Sequence, residues 1–544
     1  MANADTRRAL GMAAWSLAGL LCLSVLYADV SPAWTPDRAA FGNVRGFSRG
    51  LLNFVVLPAG QPFNAAPPWT VVLGAAVLVA AATRARFTRG TVLTVATGTA
   101  ILAVVALSPL LSPYRIVLAP RSFALCLLLL CAGAAIDAAN WLRARWTPRL
   151  SGVLAFVFFA SLMLQVLGTF GGNYSGFVRI SRTVAEEVPF LQERPDVARS
   201  LIVYDAGYDG QFAYFMAFDP LARRFADNPN LYRPFVDNPP YRYGRIGFSA
   251  LIRLVSAGQP GRFPASMLWI VLAAHCALAT LLASRAVRHG SPPFAALWYL
   301  AIPAFTPSLL AALPEALAAA LIVGGVLGWE TRRRGLAAVS FAAALLVRET
   351  AIVPLLAFTL AAGWRDWKNS GRVLGAAVTP VAAWRLFVAW RMFPAFGWAS
   401  IAPNPGDFGM PFAGLGRLFA AGITHAQPQP EGAAAVAFPI VLTAAVALVA
   451  LLLSVRRGPL EIAAAVYAMV AVSLNYSHIW SHVPSGERGT FELFLCLLLL
   501  FLERRERPAW IGRALTGFFG AALVYTFFLA PEAAASRAAL LLIR

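Results

Sequence analysis

Residues 332–372 read RRRGLAAVSFAAALLVRETAIVPLLAFTLAAGWRDWKNSGR, and where this stretch turns decides the fold. Two apolar runs flank Arg348-Glu349-Thr350. A single helix through both would hold Arg348 at mid-membrane, at a cost of at least about 2.5 kcal/mol. Basic clusters stand at both ends, Arg332-Arg333-Arg334 and Arg365/Lys368/Arg372. Such clusters stay on the cytoplasmic side, so the chain between them must go out and come back. The spacing therefore predicts two short helices, 335–347 and 350–364, with Arg348-Glu349-Thr350 at the far turn. Paired short helices of this kind point to a cavity within the membrane rather than a simple bundle.

The same logic extends along the chain. Of 544 residues, 59% are hydrophobic and only 13% charged, with a mean hydropathy of +0.67. A soluble protein carries about 25% charged residues. The apolar runs are continuous rather than alternating, which excludes a β-barrel and gives an all-α polytopic membrane protein. About 15 transmembrane or half-membrane helices are expected, at 9–28, 69–83, 91–111, 121–140, 150–170, 264–284, 292–307, 312–329, 335–347, 350–364, 373–392, 434–455, 459–475, 489–503 and 511–530. The first lacks a small-residue cleavage site and reads as a retained signal anchor. The net charge of +20 comes from 44 arginines and Lys368. They gather in short loops between apolar runs, which is a topology signal and does not point to nucleic acid. The five cysteines (Cys22, Cys126, Cys131, Cys276, Cys496) fall in apolar runs without metal-ligand spacing and read as packing residues.

Segments 291–331 and 458–503 also carry basic clusters at both ends, so they turn near Thr306-Pro307-Ser308 and within 476–488. Three large loops then fall on the outer side: 29–68, 171–263 and 393–433. By count, four expected helices fall within 1–149, seven within 150–392 around loop 171–263, and the remaining membrane helices within 393–544. Within the long loop, 183–199 has the polarity of a surface helix. Residues 246–256 have the apolar spacing of a helix along the membrane interface.

That loop holds Tyr204-Asp205-Ala206-Gly207-Tyr208-Asp209-Gly210-Gln211-Phe212, with Asp219-Pro220 following. The positions of Gln211, Phe212, Phe215 and Met216 predict a helix that starts at Asp209 and ends at Asp219. Asp209 reads either as the cap of that helix or as a general base at the membrane interface. Asp205 is a second candidate base, and Tyr208 and Gln211 are neighbouring substrate contacts. Arg242, Arg245, Arg348 and Arg488 come from separate turns on the same side. Guanidinium forks suit phosphate, while snorkelling to lipid headgroups is the plain alternative. Glu315 and Glu349 border apolar runs; Glu349 is either functional or the ion-pair partner of Arg348. His478 and His482 are four apart and would share a helix face. They read as loop histidines, as donor-phosphate contacts, or as two ligands of a metal with Glu487 as a third. No nucleotide-binding fingerprint occurs.

Gly207-Tyr208-Asp209-Gly210-Gln211-Phe212, Ala217-Phe218-Asp219-Pro220 and Tyr241-Arg242-Tyr243-Gly244-Arg245-Ile246 together resemble a bacterial membrane-protein family linked to cell-surface glycopolymer formation, within the glycosyltransferase-C (GT-C) superfamily. Gly171-Gly172-Asn173-Tyr174-Ser175 and Leu346-Val347-Arg348-Glu349-Thr350 fit the same pattern. The resemblance covers 150–392 well and the remainder loosely. It implies a GT-C-like fold in the bacterial inner membrane with its active site facing the periplasm. It implies inverting transfer of a sugar from a polyprenyl-phosphate donor to a glycan or lipid acceptor. Carried over, Asp209 is the catalytic base and Arg348 or Arg488 contacts the donor phosphate. The acidic motif is Asp-Gly rather than paired acids, so a divalent metal stays an open question. A lipid-linked sugar flippase and a non-catalytic subunit of a glycan assembly complex are the alternatives.

Overall fold

The computed structural model describes residues 146–363, 366–400, 408–424, 431–503 and 508–532, and the described residues from Thr147 onward belong to one compact unit. The four helices expected between 9 and 140, with Cys22, Cys126 and Cys131, lie outside the described residues.

Helix α1 (Pro148–Thr169) opens on Thr147, whose side chain accepts from the Leu150 N–H at 3.2 Å, with Pro148 at the first position, where no amide donor is needed. Loop 170–262 follows and contains α2 (Gly210–Phe218) and α3 (Gly247–Val255). The chain then forms α4 (Phe263–Arg288), α5 (Glu315–Glu330), α6 (Arg334–Val347), α7 (Ile352–Ala362) and α8 (Trp367–Phe396). The C-terminal part adds α9 (Ala413–Ile423), α10 (Glu431–Val455), α11 (Pro459–Ser473), α12 (Val483–Gly489), α13 (Phe491–Leu502) and α14 (Ala509–Val524). Among the described residues, five helical spans are long and apolar enough to cross a membrane; they contain α1, α4, α8, α10 and α14. Helices α6, α7, α9, α11 and α13 are shorter apolar helices.

The turn that opened the sequence reading is present. Helix α6 stops at Val347, Arg348 is extended (φ −155°, ψ 117°), and α7 begins at Ile352 after one 3-10 turn. Three expectations change. The helix predicted over 292–307 is a 3-10 segment, Pro293–Ala301, followed by a single α-turn, Phe305–Leu310. Pro292, Pro293, Pro303 and Pro307 withhold the amide donors that an α-helix there would need. The surface helix over 183–199 is three short pieces, Arg182–Glu187, Pro189–Gln192 and Pro195–Ser200, each of the later two restarted by a proline. Loop 393–433 is partly helical, since it contains α9.

The long loop has a core of its own. Its parallel pair β1 (Ile180–Ser181) and β2 (Val203–Tyr204) packs beside α2. On α2, Tyr214, Phe215 and Met216 are buried. Phe218 meets Phe263 edge-on at 5.1 Å and stacks on Phe190 at 5.2 Å. Phe263 is the first residue of α4, so the loop is bolted to the membrane helices by aromatic packing.

Charge collects at both ends of the bundle. At the end away from the loop, Arg285 is fully buried in the last turn of α4. It donates to Glu330 at 2.7 Å, to Glu503 at 2.5 Å and to the Leu499 carbonyl at 2.5 Å. A cation there also suits the carbonyl ends of α4, α5 and α13. Arg285, one residue beyond the helix expected over 264–284, is therefore an interior residue.

Candidate functional site

The loop-bearing end of the bundle is where α5, α7 and α13 begin and α6 ends. Arg348, released from α6 in an extended conformation, crosses to α13 and donates from Nε to Glu492 at 2.5 Å. Its terminal nitrogens reach the Arg488 carbonyl at 3.0 Å and Glu315 at 3.5 Å. Thr350 shares the same Glu492 oxygen at 2.6 Å. Tyr467 of α11 donates to the Thr350 carbonyl at 2.8 Å. Glu315 is 1% exposed; one of its oxygens takes Arg348 and Arg488, and the other is buried with no partner.

Arg488 joins this buried layer to the loop. It donates to Glu315 at 2.9 Å and to Asp209 at 2.9 Å, and lies over the Tyr208 ring at 5.2 Å. Arg242 holds the other Asp209 oxygen at 3.1 Å, is forked onto Asp237 at 2.6 and 2.9 Å, and covers the Phe212 ring at 4.2 Å. Arg245 is forked onto Glu349 and lies over Tyr241 at 4.1 Å; Arg385 of α8 approaches Glu349 at 3.9 Å. Five arginines thus face Asp209, Asp237, Glu315, Glu349 and Glu492, and the cluster is close to neutral.

Glycines set these distances. A Cβ at Gly210 would stand 2.5 Å from the Ala311 carbonyl and 2.9 Å from that of Val178, so the residue after Asp209 has no room for a side chain. A Cβ at Gly247 would press on the Leu346 backbone at 3.0 Å, and one at Gly244 would overlap the Arg385 guanidinium. The Tyr-Arg-Tyr-Gly-Arg stretch can therefore lie directly against the end of α6 and the Trp384–Arg385 stretch within α8.

Asp209 precedes α2 but makes no side-chain cap to it; its carboxylate is spent on the two arginines. Burial pushes its pKa up, and the Arg488 and Arg242 charges and hydrogen bonds overcome that and hold it well below the usual carboxylate range. Asp219 closes α2 and accepts from the Arg223 and Phe225 N–H groups, the terminating role expected of it.

Several sequence candidates stand elsewhere. Asp205 is 98% exposed with Arg182 at 3.7 Å, outside the cluster, because the chain turns outward after β2. Gln211 points inward and accepts from the Ser181 N–H at 3.1 Å, pinning α2 to β1 rather than facing a substrate. Glu349 pairs with Arg245, not with its neighbour Arg348, because consecutive side chains diverge where the backbone is extended. Tyr208 touches the cluster through Arg488, and its hydroxyl meets Ser485 at 3.2 Å. His482 is the extended residue before α12, and the turn Ser477–Trp480 ends two residues earlier, so the two histidines do not share a helix face. The His482 ring lies 5.9 Å from that of Tyr208, and the side chain of His478 lies outside the described residues.

Four participants were missed: Asp237, Glu492, Thr350 and Arg385. Glu492 sits inside the run Phe491-Glu492-Leu493-Phe494-Leu495, and an acid opening an otherwise apolar helix was the available signal. Glu487, considered as a metal ligand, is instead buried against Tyr525, whose hydroxyl donates to it at 2.5 Å. The donor set of the cluster does not fit a divalent cation, because each carboxylate there is already engaged by arginine. Among the described residues, the group with metal-ligand spacing is His289, Glu330 and Glu503 at the opposite end, with Arg285 bonded to both acids.

No protein-family model, no curated protein and no solved structure matches this chain.

Proposed function

We propose that the chain is a membrane glycosyltransferase that moves a sugar from a polyprenyl-phosphate donor to a glycan or lipid acceptor at the outer face of a bacterial inner membrane. The observation that carries the reading is the junction of Asp209 with Arg488 and Arg242 at one end of an apolar bundle. Guanidinium forks are the protein's best match to a phosphate, and a membrane-end cluster is where a lipid-linked phosphate would sit.

The resting electrostatics give the order of events. Asp209 bound by two arginines is too weak a base to take a proton from a hydroxyl. A donor phosphate that draws Arg488 or Arg242 to itself weakens that hold, and the Asp209 pKa rises toward its ordinary value. Asp209 then accepts the acceptor hydroxyl proton while the hydroxyl oxygen attacks the anomeric carbon. The bond to the phosphate oxygen breaks with inversion, and the arginines stabilise the charge left on the phosphate. Arg348 and Arg245, held by Glu492, Glu315 and Glu349, keep the arginine layer in place.

The test is Asp209→Asn in the folded, full-length protein with radiolabelled polyprenyl-phosphate sugars. Loss of transfer by about 10²- to 10⁴-fold is expected for removal of a general base. Undiminished transfer would overturn the assignment. Transport of the intact sugar-lipid across vesicles without bond breakage would overturn the enzyme reading itself.

A further inference from the structure

A recess opens on the loop-bearing side, away from the arginines. It has a volume of about 230 Å³ and lies between the end of α1, the 197–201 segment and the start of α4. Asn173, Tyr174, Ser175, Ser200, Tyr214 and Gly261 line it, and its lining contains no charged side chain. The volume is roughly eight times the ~30 Å³ share of one liquid water, which is monosaccharide scale and well short of a drug-sized site.

Its polar wall is fixed in advance. Asn173 donates to the Ser200 carbonyl at 2.7 Å, and its oxygen accepts from the Ser175 N–H at 3.0 Å and hydroxyl at 2.8 Å. The Ser175 oxygen in turn accepts from the Ile202 N–H at 2.9 Å. Gly171 and Gly172, with φ of +61° and +83°, make the tight turn that delivers Asn173. Tyr214 contributes to the floor, and its hydroxyl is buried with no hydrogen-bond partner. A buried hydroxyl left this way has lost water without gaining a partner, so a ligand group that reaches it would gain a hydrogen bond.

We infer that this recess is a binding site for one neutral sugar unit of the acceptor glycan. The lack of charge disfavours phosphate, carboxylate, amine and metal ligands. Val197, Leu201, Pro260, Pro264 and Ala265 complete the lining, so hydroxyl and amide groups stand beside apolar ones, a mixture that matches a sugar ring better than a purely acyl or prenyl chain. Two tyrosines beside hydrogen-bonding groups suit a sugar ring, which offers C–H faces to one and hydroxyls to the other. Asp209 precedes α2 and Tyr214 lies five residues on, about 7.5 Å of axial rise and roughly 140° around the helix, so the recess and the arginine cluster lie on different faces of α2 and only a glycan of more than one sugar unit spans both. The choice of an acceptor sugar over another neutral polyol rests on the transfer reading.

The experiment is saturation-transfer NMR on the full-length protein in detergent with maltose, cellobiose and mannobiose, against glucuronate and glucosamine. At least one neutral disaccharide is expected to bind saturably, and the charged sugars more weakly. A Cβ at Gly261 meets no atom within 4 Å, so Gly261→Trp fills space without displacing the protein and is expected to weaken binding at least tenfold. Tyr214→Phe is expected to weaken binding severalfold without lowering the melting temperature, because its hydroxyl has no partner in the empty protein. Absence of neutral-sugar binding, or equal binding by Gly261→Trp, overturns the site. A protein that transfers sugar yet shows neither effect loses only this site; one that binds but transfers from no donor keeps the site and loses the transfer reading.

Discussion

Replacing Glu492 by glutamine removes one charge from the buried layer and little else. Glu492 is 2% exposed and holds Arg348 Nε at 2.5 Å and Thr350 Oγ1 at 2.6 Å through one oxygen. Breaking a buried ion pair by removing one partner costs about 3–5 kcal/mol. Glutamine keeps a carbonyl oxygen in the same place, and Arg348 retains Glu315 at 3.5 Å and the Arg488 carbonyl at 3.0 Å. A neutral acceptor delivers about half the strength of a charged one. The expected loss for Glu492→Gln is therefore about 2 kcal/mol, and about 3–5 kcal/mol for Glu492→Ala. The assay is reversible denaturant unfolding in detergent of Glu492→Gln, Arg348→Met and the double variant. A coupling of at least about 1 kcal/mol is expected, as for residues in one salt-bridge network. Wild-type stability in Glu492→Gln, or additive single effects, would refute the claim that one charged layer joins α6 to α13.

Stability against pH separates Asp209 from other acids. Its folded pKa lies below its unfolded value, so its contribution is complete above the ordinary carboxylate pKa of about 3.9 and fades as pH falls from there toward the depressed folded value. Wild type and Asp209→Asn should give parallel stability curves from pH 5 to 8 that converge below pH 4. Glu487 is the opposite case: burial, with the charge of Glu532, pushes its pKa well up against the Tyr525 hydrogen bond. The folded protein then binds more protons than the unfolded chain, and stability falls as pH rises through the unfolded value of about 4.3. Glu487→Gln should gain on wild type as pH rises from 4 to 7; a flat difference would show that Glu487 ionises normally. Gly210→Ala should cost about 1–3 kcal/mol from overpacking and lower transfer although Asp209 is unchanged, because the new methyl meets two carbonyls within 3 Å. Transfer at the wild-type rate would show that the close approach is not needed.

Much of the membrane architecture was legible because apolar runs and arginine clusters each carry a strong physical signal. Basic residues at 332–334 and 365–372 forced a turn at 348–350, and the turn is there. The same argument gave parity to 291–331 but not its conformation, because four prolines trade an α-helix for 3-10 and irregular backbone without altering hydropathy. Asp209, Arg242, Arg245, Arg348, Arg488, Glu315 and Glu349 were visible as polar residues in the long loop, at turns or at apolar borders, and the fold gathers them. Their pairing was not visible. Glu349 looked like the partner of Arg348 because the two are adjacent in sequence, yet extended backbone sends neighbours to opposite sides. Glu492 was hidden by its run of leucines and phenylalanines, and Gln211 looked exposed because its motif is polar although its side chain points to β1.

Arg285 bears on how such a chain can be made. On the ribosome it emerges 45 residues before Glu330 and 218 residues before Glu503. Helix α4 therefore enters the bilayer carrying a cation before Glu503 is synthesised, and even with Glu330 in place it still waits for α13. Until then, Arg285 has only headgroups or water at the membrane boundary to solvate it, which favours keeping that end of α4 at the surface. Closing the bundle at this end is then a late event in biogenesis, timed by translation of the C-terminal third. A chain truncated before residue 503 should insert yet remain open there, and be recognised by membrane quality control.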